Sequence, residues 1–297
     1  MLFERQRLLL TILDALGGPV ANTDFQKLLF LYTKECESDP TYEFVPYKFG
    51  AFSFTSYADK RRLAGAGYLS ADENQWQLTE VGRQTAREQA VVPLLVARFC
   101  REHAALRGNS LIAEQYRKYP YYATRSEILD KVLMDPGARQ RVAAARPKES
   151  GPGLLTIGYE GRTLEAYLNL LLTNSVTLLC DVRKNPISRK YGFSKNALRK
   201  ACEGIGIEYQ HLPELGIDSD ERRELNTQGD YDALFVQYER NCLPAQTGSL
   251  GQIHLWIKTG RRVALTCFER LPQQCHRHCV AEFLSAQAGE DLIPIHL

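Results

Sequence analysis

The sequence lacks an apolar run approaching the ~20 residues that a membrane-spanning helix requires, so no such helix is expected. It lacks a charge surplus as well: 37 Lys and Arg against 35 Asp and Glu leave a net +2. That is too little to draw the whole chain to nucleic acid, and any such binding has to come from a local patch. There is no C-x-x-C pair, and the eight cysteines are scattered from Cys36 to Cys279. In 297 residues this is too sparse for the disulfide framework of a small secreted domain, so reduced thiols are expected. The start of the chain gives no export signal either. "MLFERQRLLLTILDALGG" is apolar, but Glu4, Arg5, Arg7 and Asp14 interrupt it at helical spacing and no small-residue cleavage site follows. An amphipathic first helix in a cytoplasmic protein is expected.

What is present is the composition of an ordinary globular protein, 44% hydrophobic and 24% charged, at a length that exceeds the usual single domain. Two domains are expected, with a mainly helical, winged-helix-like module over residues 1–90. Leu8, Leu9, Ile12, Leu13 and Leu16 mark one helical face that ends at the Gly-Gly-Pro of 17–19, and a second helix runs through "DFQKLLFLYTKE". "YEFVPYKFGAFSFTSYADKRRLAGAGYLS" reads as an extended segment, a helix and Gly-rich punctuation, and "QWQLTEVGRQTARE" as a brief strand and a helix. This pattern resembles bacterial winged-helix and Panacea-like antitoxin domains. The resemblance implies recognition of DNA or of a partner protein. Residues 91–150 read as a helical connector, which "RVAAARPKESGPG" closes as a linker near 146–153.

From Leu154 the pattern changes. "LLTIGY", "VTLLCDVR", "IEYQHLP", "RRVALTCFE" and a terminal "LIPIHL" are short apolar strands, and helices are expected from Thr163, from Ser194, from about 220 to 242, and over "CHRHCVAEFLSAQ". Such alternation predicts an α/β domain over 151–297, a Rossmann-like parallel sheet flanked by helices. Ligands bind such sheets beyond the carboxyl ends of the strands. The unusual polar residues fall at that edge: Tyr159 after the first strand, the loop "DVRKNPISRKYGFS" after the second, and Cys267 with Glu269 after "VALT".

The loop offers Asp181, Arg183, Lys184, Asn185, Ser188, Arg189 and Lys190. Arginine forks suit phosphate or carboxylate, and an aspartate beside them either orients an arginine or acts as acid or base. "CFERLPQQCHRHC" packs Cys267, Glu269, Cys275, His276, Arg277, His278 and Cys279 into one stretch. Its later part is expected at a helix start, where an anion or a thiolate is favoured, although successive residues point ~100° apart and cannot all face one atom. The set has the softness for zinc or iron. The spacing gives no C-x-x-C pair, His278 and Cys279 are adjacent, and only Cys275 and Cys279 share a face at i, i+4, so no metal is assigned.

The segments "TIGYEGRTLEAYLNLLLTNSVTLLCDVRKNPISRKYGFSKNALRKACEGIGIEYQHLPELG", "ALTCFERLPQQCHRHCVAEFL" and "PIHL" resemble the domain of unknown function 488 family over residues 154–297. The matching positions are Asp181, Arg183, Pro186, Ser188, Arg189, Cys267, Glu269, Cys275, His276 and Arg277, while His278 and Cys279 lie outside the motif. The resemblance brings no reaction and no cofactor. The expectation is therefore a phosphate-bearing ligand, a nucleotide or nucleic-acid base, handled by Asp181, Glu269, Cys275 and His276 as catalytic groups. Tyr159, Arg183, Asn185, Ser188, Arg189, Cys267 and Arg277 are expected to bind it. The alternative is a non-catalytic DNA-binding or antitoxin-like regulator whose α/β domain senses an anionic ligand.

Overall fold

The computed structural model describes residues 1–218, 220–221, 225–288 and 292–297. The chain divides into two compact units, Met1–Arg146 and Pro147–Leu297.

In the first unit, helices α1 (Glu4–Leu16) and α2 (Asn22–Cys36) supply 11 of the 24 buried residues of the main core cluster. Gly17, with φ +76, ends α1 by returning its N–H to Leu13 and Asp14 carbonyls, a left-handed cap that a side chain would strain. Strand β1 (Val20–Ala21) pairs antiparallel with β4 (Gln75–Trp76), and β2 (Val45–Tyr47) with β3 (Gly50–Phe52). Helix α3 (Phe54–Gly65) is capped by the Ser53 hydroxyl and α4 (Glu80–Glu88) by that of Thr79. Helices α5 (Pro93–Glu102), α6 (Gly108–Lys118), α7 (Leu129–Val132) and α8 (Pro136–Ala144) complete it.

The segment expected as a connector belongs to this unit. Val96, Phe99, Cys100 and Leu111 share a core with Leu9, Phe25 and Trp76. The tyrosines of "YRKYPYYATRSEI" turn inward with it: Tyr119 and Tyr122 pack edge-on to Phe30, and the buried Tyr116 hydroxyl pairs with Ser126 at 2.6 Å.

The second unit is the expected parallel α/β layer. Strands β5 (Gly153–Gly158), β6 (Leu178–Asp181), β7 (Glu208–His211), β8 (Arg262–Cys267) and β9 (Ile295–His296) form one sheet in the order β7-β6-β8-β5-β9, every pair parallel. Helices α9 (Leu164–Thr173) and α10 (Lys195–Gly204) follow β5 and β6, while α11 (Gln228–Gln237), α12 (Thr247–Lys258) and α13 (Arg277–Ala288) follow β7 and β8. Val263 and Leu265 of β8 join the core built with residues of α11, α12 and α13. Thr266, one residue on and hence on the other face, takes the O–H of Tyr167 from α9 at 2.7 Å.

The strand order places the fourth strand of the unit between the first and second, unlike the order of dinucleotide-binding folds. It has a consequence for the site. From β6 the chain moves outward to β7; from neighbouring β8 it crosses β5 to reach β9. The two connections leave in opposite directions, so the carboxyl ends of β6 and β8 flank a switch point of the kind where α/β sheets open a ligand crevice.

Two helix expectations change. The stretch expected from about 220 falls partly outside the described residues, and its described helix starts only at Gln228, capped by Thr227, and continues as a wider turn over Tyr238–Cys242. Helix α12 was not anticipated, because Gly248 and Gly251 sit in its first two turns and its N-terminus has no side-chain cap.

Candidate functional site: a cavity at the ends of β6 and β8

A cavity of about 300 Å³ opens at this switch point, lined by Tyr159, Arg183, Lys184, Asn185, Ile187, Ser188, Arg189, Ile217, Cys267, Phe268 and His276. Four chain segments build it: the residue after β5, the loop after β6, the stretch after β7 that carries Ile217, and the end of β8 with the turn that follows it. Two glycines permit the close approach. A Cβ at Gly158 would overlap the Glu269 carbonyl, and one at Gly216 the Lys184 backbone.

The loop after β6 is braced from within. Ser188 and Ser194 exchange bonds, the Ser188 N–H donating to the Ser194 hydroxyl at 3.1 Å and that hydroxyl to the Ser188 carbonyl at 3.0 Å. His211 at the end of β7 lies 2.9 Å from the Arg183 carbonyl through Nε2 and 2.9 Å from Lys195 Nζ through Nδ1. The lysine donates, so Nε2 carries the proton given to the carbonyl.

Arg183 and Asp181 form the buried foundation of this loop. Asp181 Oδ1 accepts the Arg183 backbone N–H at 3.1 Å and its Nε–H at 2.8 Å; Oδ2 accepts Arg183 Nη2–H and the Tyr209 hydroxyl at 2.6 Å. Those four bonds use the roughly four lone-pair sites of a carboxylate. Arg183 Nη1 donates to the Tyr159 hydroxyl at 3.0 Å and the Phe193 carbonyl at 2.9 Å. Burial works against the Arg183 charge, but the bonds and charge of Asp181 outweigh it and its pKa is raised. Tyr209 moves up too, through burial and then the Asp181 charge. The expectation of Asp181 as an acid or base is therefore corrected: it is a saturated anchor, fully buried beneath the cavity wall.

Arg277 is corrected likewise. It is fully buried, and its donors go to the Glu269 carbonyl (2.6 Å), the Arg270 carbonyl (3.0 Å) and Thr156 Oγ1 (3.4 Å). It staples the turn after β8 to the sheet instead of meeting a ligand. Cys275 precedes α13 by two residues, is wholly buried and does not line the cavity. Burial, with neighbouring Cys267, pushes its thiol up to about 11, the reverse of the thiolate expected at a helix start.

Cys267 and His276 take the place assigned to Cys275. His276 Nε2 is 2.9 Å from the Val182 carbonyl, which only accepts, so that nitrogen carries a proton and Nδ1 presents its lone pair 3.8 Å from Cys267 Sγ. Glu269 Oε2 lies 3.6 Å from the same sulfur, though Glu269 is not part of the cavity lining. Tyr159 stacks on Phe193 at 4.4 Å between centroids.

Of the eleven site residues read from the sequence, the cavity gathers Tyr159, Arg183, Asn185, Ser188, Arg189, Cys267 and His276. Asp181, Glu269, Cys275 and Arg277 do not line it. Its apolar wall of Ile187, Ile217 and Phe268 was missed, since no polar motif marks it. Lys184 was named within the loop but given no binding role, and it lines the cavity.

Residues 163–284 match the model of the family described as "Domain of unknown function DUF488". That segment spans the loop after β6 and the turn from Cys267 to Arg277, in agreement with the resemblance read over 154–297. The searches of curated proteins and of solved structures returned no match.

Proposed function

We propose that the α/β unit is an enzyme acting on a phosphate-bearing ligand, a nucleotide or nucleic-acid base, in the cavity at the ends of β6 and β8. One observation carries this reading: the cavity brings the Cys267–His276 pair to the same space as Arg183, Lys184 and Arg189. Lys184 and Arg189 form an exposed cationic rim that, with Asn185 and Ser188 as neutral donors, suits an anion, while Arg183 stays paired with Asp181. Ile187, Ile217 and Phe268 form an apolar wall for the flat remainder of such a ligand, and about 300 Å³ is at the small end of the range for ligand sites. Cys267 and His276 are the groups able to take part in chemistry. The first unit is read as the module that brings this domain to DNA or to a protein partner.

The test is to incubate the full chain with a panel of nucleotides and follow products by mass spectrometry. Conversion by the wild type that is lost in His276→Gln, with ligand affinity retained, supports the proposal. A ligand that binds and is returned unchanged points instead to a sensor, and no binding at millimolar concentration removes the cavity from consideration. A salt-titrated gel shift examines the DNA role of the first unit, and absence of binding at low salt sinks it.

A further inference from the structure

Three soft donor side chains meet at the cavity, Cys267 and His276 in its lining and Cys275 outside the lining. The Sγ atoms of Cys267 and Cys275 and a ring nitrogen of His276 all lie within 4.8 Å of one another, and all three residues are buried. We propose that Cys267, Cys275 and His276 bind a thiophilic divalent metal ion, zinc, with its open coordination position facing the cavity.

The distances suit it. Zinc bonds of about 2.3 Å to sulfur and 2.0 Å to nitrogen, at a tetrahedral angle, place a sulfur and a nitrogen about 3.5 Å apart. Cys267 Sγ and His276 Nδ1 are 3.8 Å apart. His276 already has the arrangement of a ligating imidazole, its Nε2–H given to the Val182 carbonyl and its Nδ1 lone pair directed at the thiol. Two thiolates and a neutral imidazole balance the charge of a dication, so the ion and its three ligands together add no net charge to a buried place. Thiolate and imidazole together select zinc or iron over magnesium or calcium.

The opening follows from the lining. Cys267 and His276 both face the cavity whereas Cys275 does not, so the vacant vertex of a three-ligand site points where a ligand oxygen or water would sit. The frame is rigid. Arg277 holds the Glu269 and Arg270 carbonyls, the Phe268 carbonyl takes the Glu160 N–H at 2.9 Å, and the Arg270 N–H goes to the Glu160 carboxylate at 3.0 Å. Sequence spacing argued against a metal because the set from Cys267 to Cys279 holds no C-x-x-C pair and His278 and Cys279 are adjacent. In the fold Cys267 ends β8 while Cys275 and His276 lie in the turn just before α13. Cys279 and His278, included in that earlier set, fall in a separate group with Glu239.

This inference rests on the cavity being the functional site, and the two are separable by experiment. The full chain is purified without oxygen, its metal measured by mass spectrometry, and the stripped protein titrated with zinc and with cobalt(II). About one metal per chain is expected, with a thiolate-to-cobalt charge-transfer band and the strong visible bands of a tetrahedral ion. Cys275→Ser should lose roughly half of the charge-transfer intensity and most of the affinity, His276→Gln should lower affinity ~10- to 100-fold or more, and Cys36→Ser, in the other unit, should change neither. A chain that takes up no zinc or cobalt, or a Cys275→Ser variant that binds both as the wild type does, overturns the proposal. Where a cysteine variant does not fold, His276→Gln carries the same decision. Titration with inorganic phosphate separates the readings: zinc bound without phosphate keeps this inference and discards the anion cavity, and phosphate bound with no metal does the converse.

Discussion

Replacing Asp181 by Asn is the sharpest perturbation of the site's foundation. Asp181 is fully buried and Arg183 is 6% exposed, and the carboxylate accepts three of its four bonds from that arginine. An amide in its place keeps the shape but removes the charge, and turns an NH₂ group toward either the guanidinium or the Tyr209 hydroxyl. Removing one partner of a buried ion pair costs ~3–5 kcal/mol, because the other charge stays buried without compensation. At ~2–4 °C per kcal/mol for a unit of this size, the thermal transition of the α/β unit should fall by roughly 6–20 °C. Calorimetry on the full chain, where the two units are resolved by which transition moves, reads this directly. The double change Asp181→Leu with Arg183→Met should recover part of the loss, as expected of coupled neighbours. A shift below ~1 kcal/mol in Asp181→Asn would refute the anchor assignment and restore Asp181 as a group free to act in chemistry.

Two further outcomes follow from other parts of the molecule. Gly158→Ala forces a methyl into the Glu269 carbonyl and should destabilise by ~1–3 kcal/mol or more; Gly18→Ala, with open space around it, should not, and equal effects in denaturant titrations would contradict the close-approach argument. Lys27 is wholly buried, donates to the Ala51 carbonyl at 2.7 Å, and burial pushes its ammonium down to about 7. Its folded pKa lies below its unfolded value of ~10.4, so between about pH 7 and ~10.4 the unfolded chain holds the extra proton and this group's contribution to stability rises with pH, by at most ~1.4 kcal/mol per unit. Stability measured across that window for wild type minus Lys27→Met should show this rise; a flat difference would mean the lysine keeps its proton when folded.

The α/β unit was legible because its strands are continuous apolar runs bounded by polar edges. "VALTC" and "LLTIG" declare themselves by composition, and Thr163 at the cap of α9 is a local signal. Helix α12 hid behind two glycines, although Leu250, Ile253 and Ile257 keep helical spacing. That polar residues gather at the carboxyl ends of the strands was legible from the strand-end rule, but which of them line the cavity was not. Asp181, Arg277 and Cys275 look chemically active in the sequence and become anchors in the fold, because whether a charged group faces a ligand or a backbone carbonyl depends on contacts distant in sequence. Arg277 is pinned to Thr156, 121 positions away. The connector misreading has the same origin: nothing local in 91–146 reveals that Phe99 packs edge-on against Tyr32.

The central claim is that the cavity between β6 and β8 binds an anion through its cationic rim. Calorimetric titration of inorganic phosphate and of a nucleoside monophosphate into the wild type and into Lys184→Gln with Arg189→Gln tests it most directly. Both residues are exposed at the rim, so the variant keeps the fold. The account predicts saturable binding by the wild type and a loss of ~10- to 100-fold in the variant, about one to two charge-assisted contacts. Equal affinity in both proteins, or no binding by either, would contradict it.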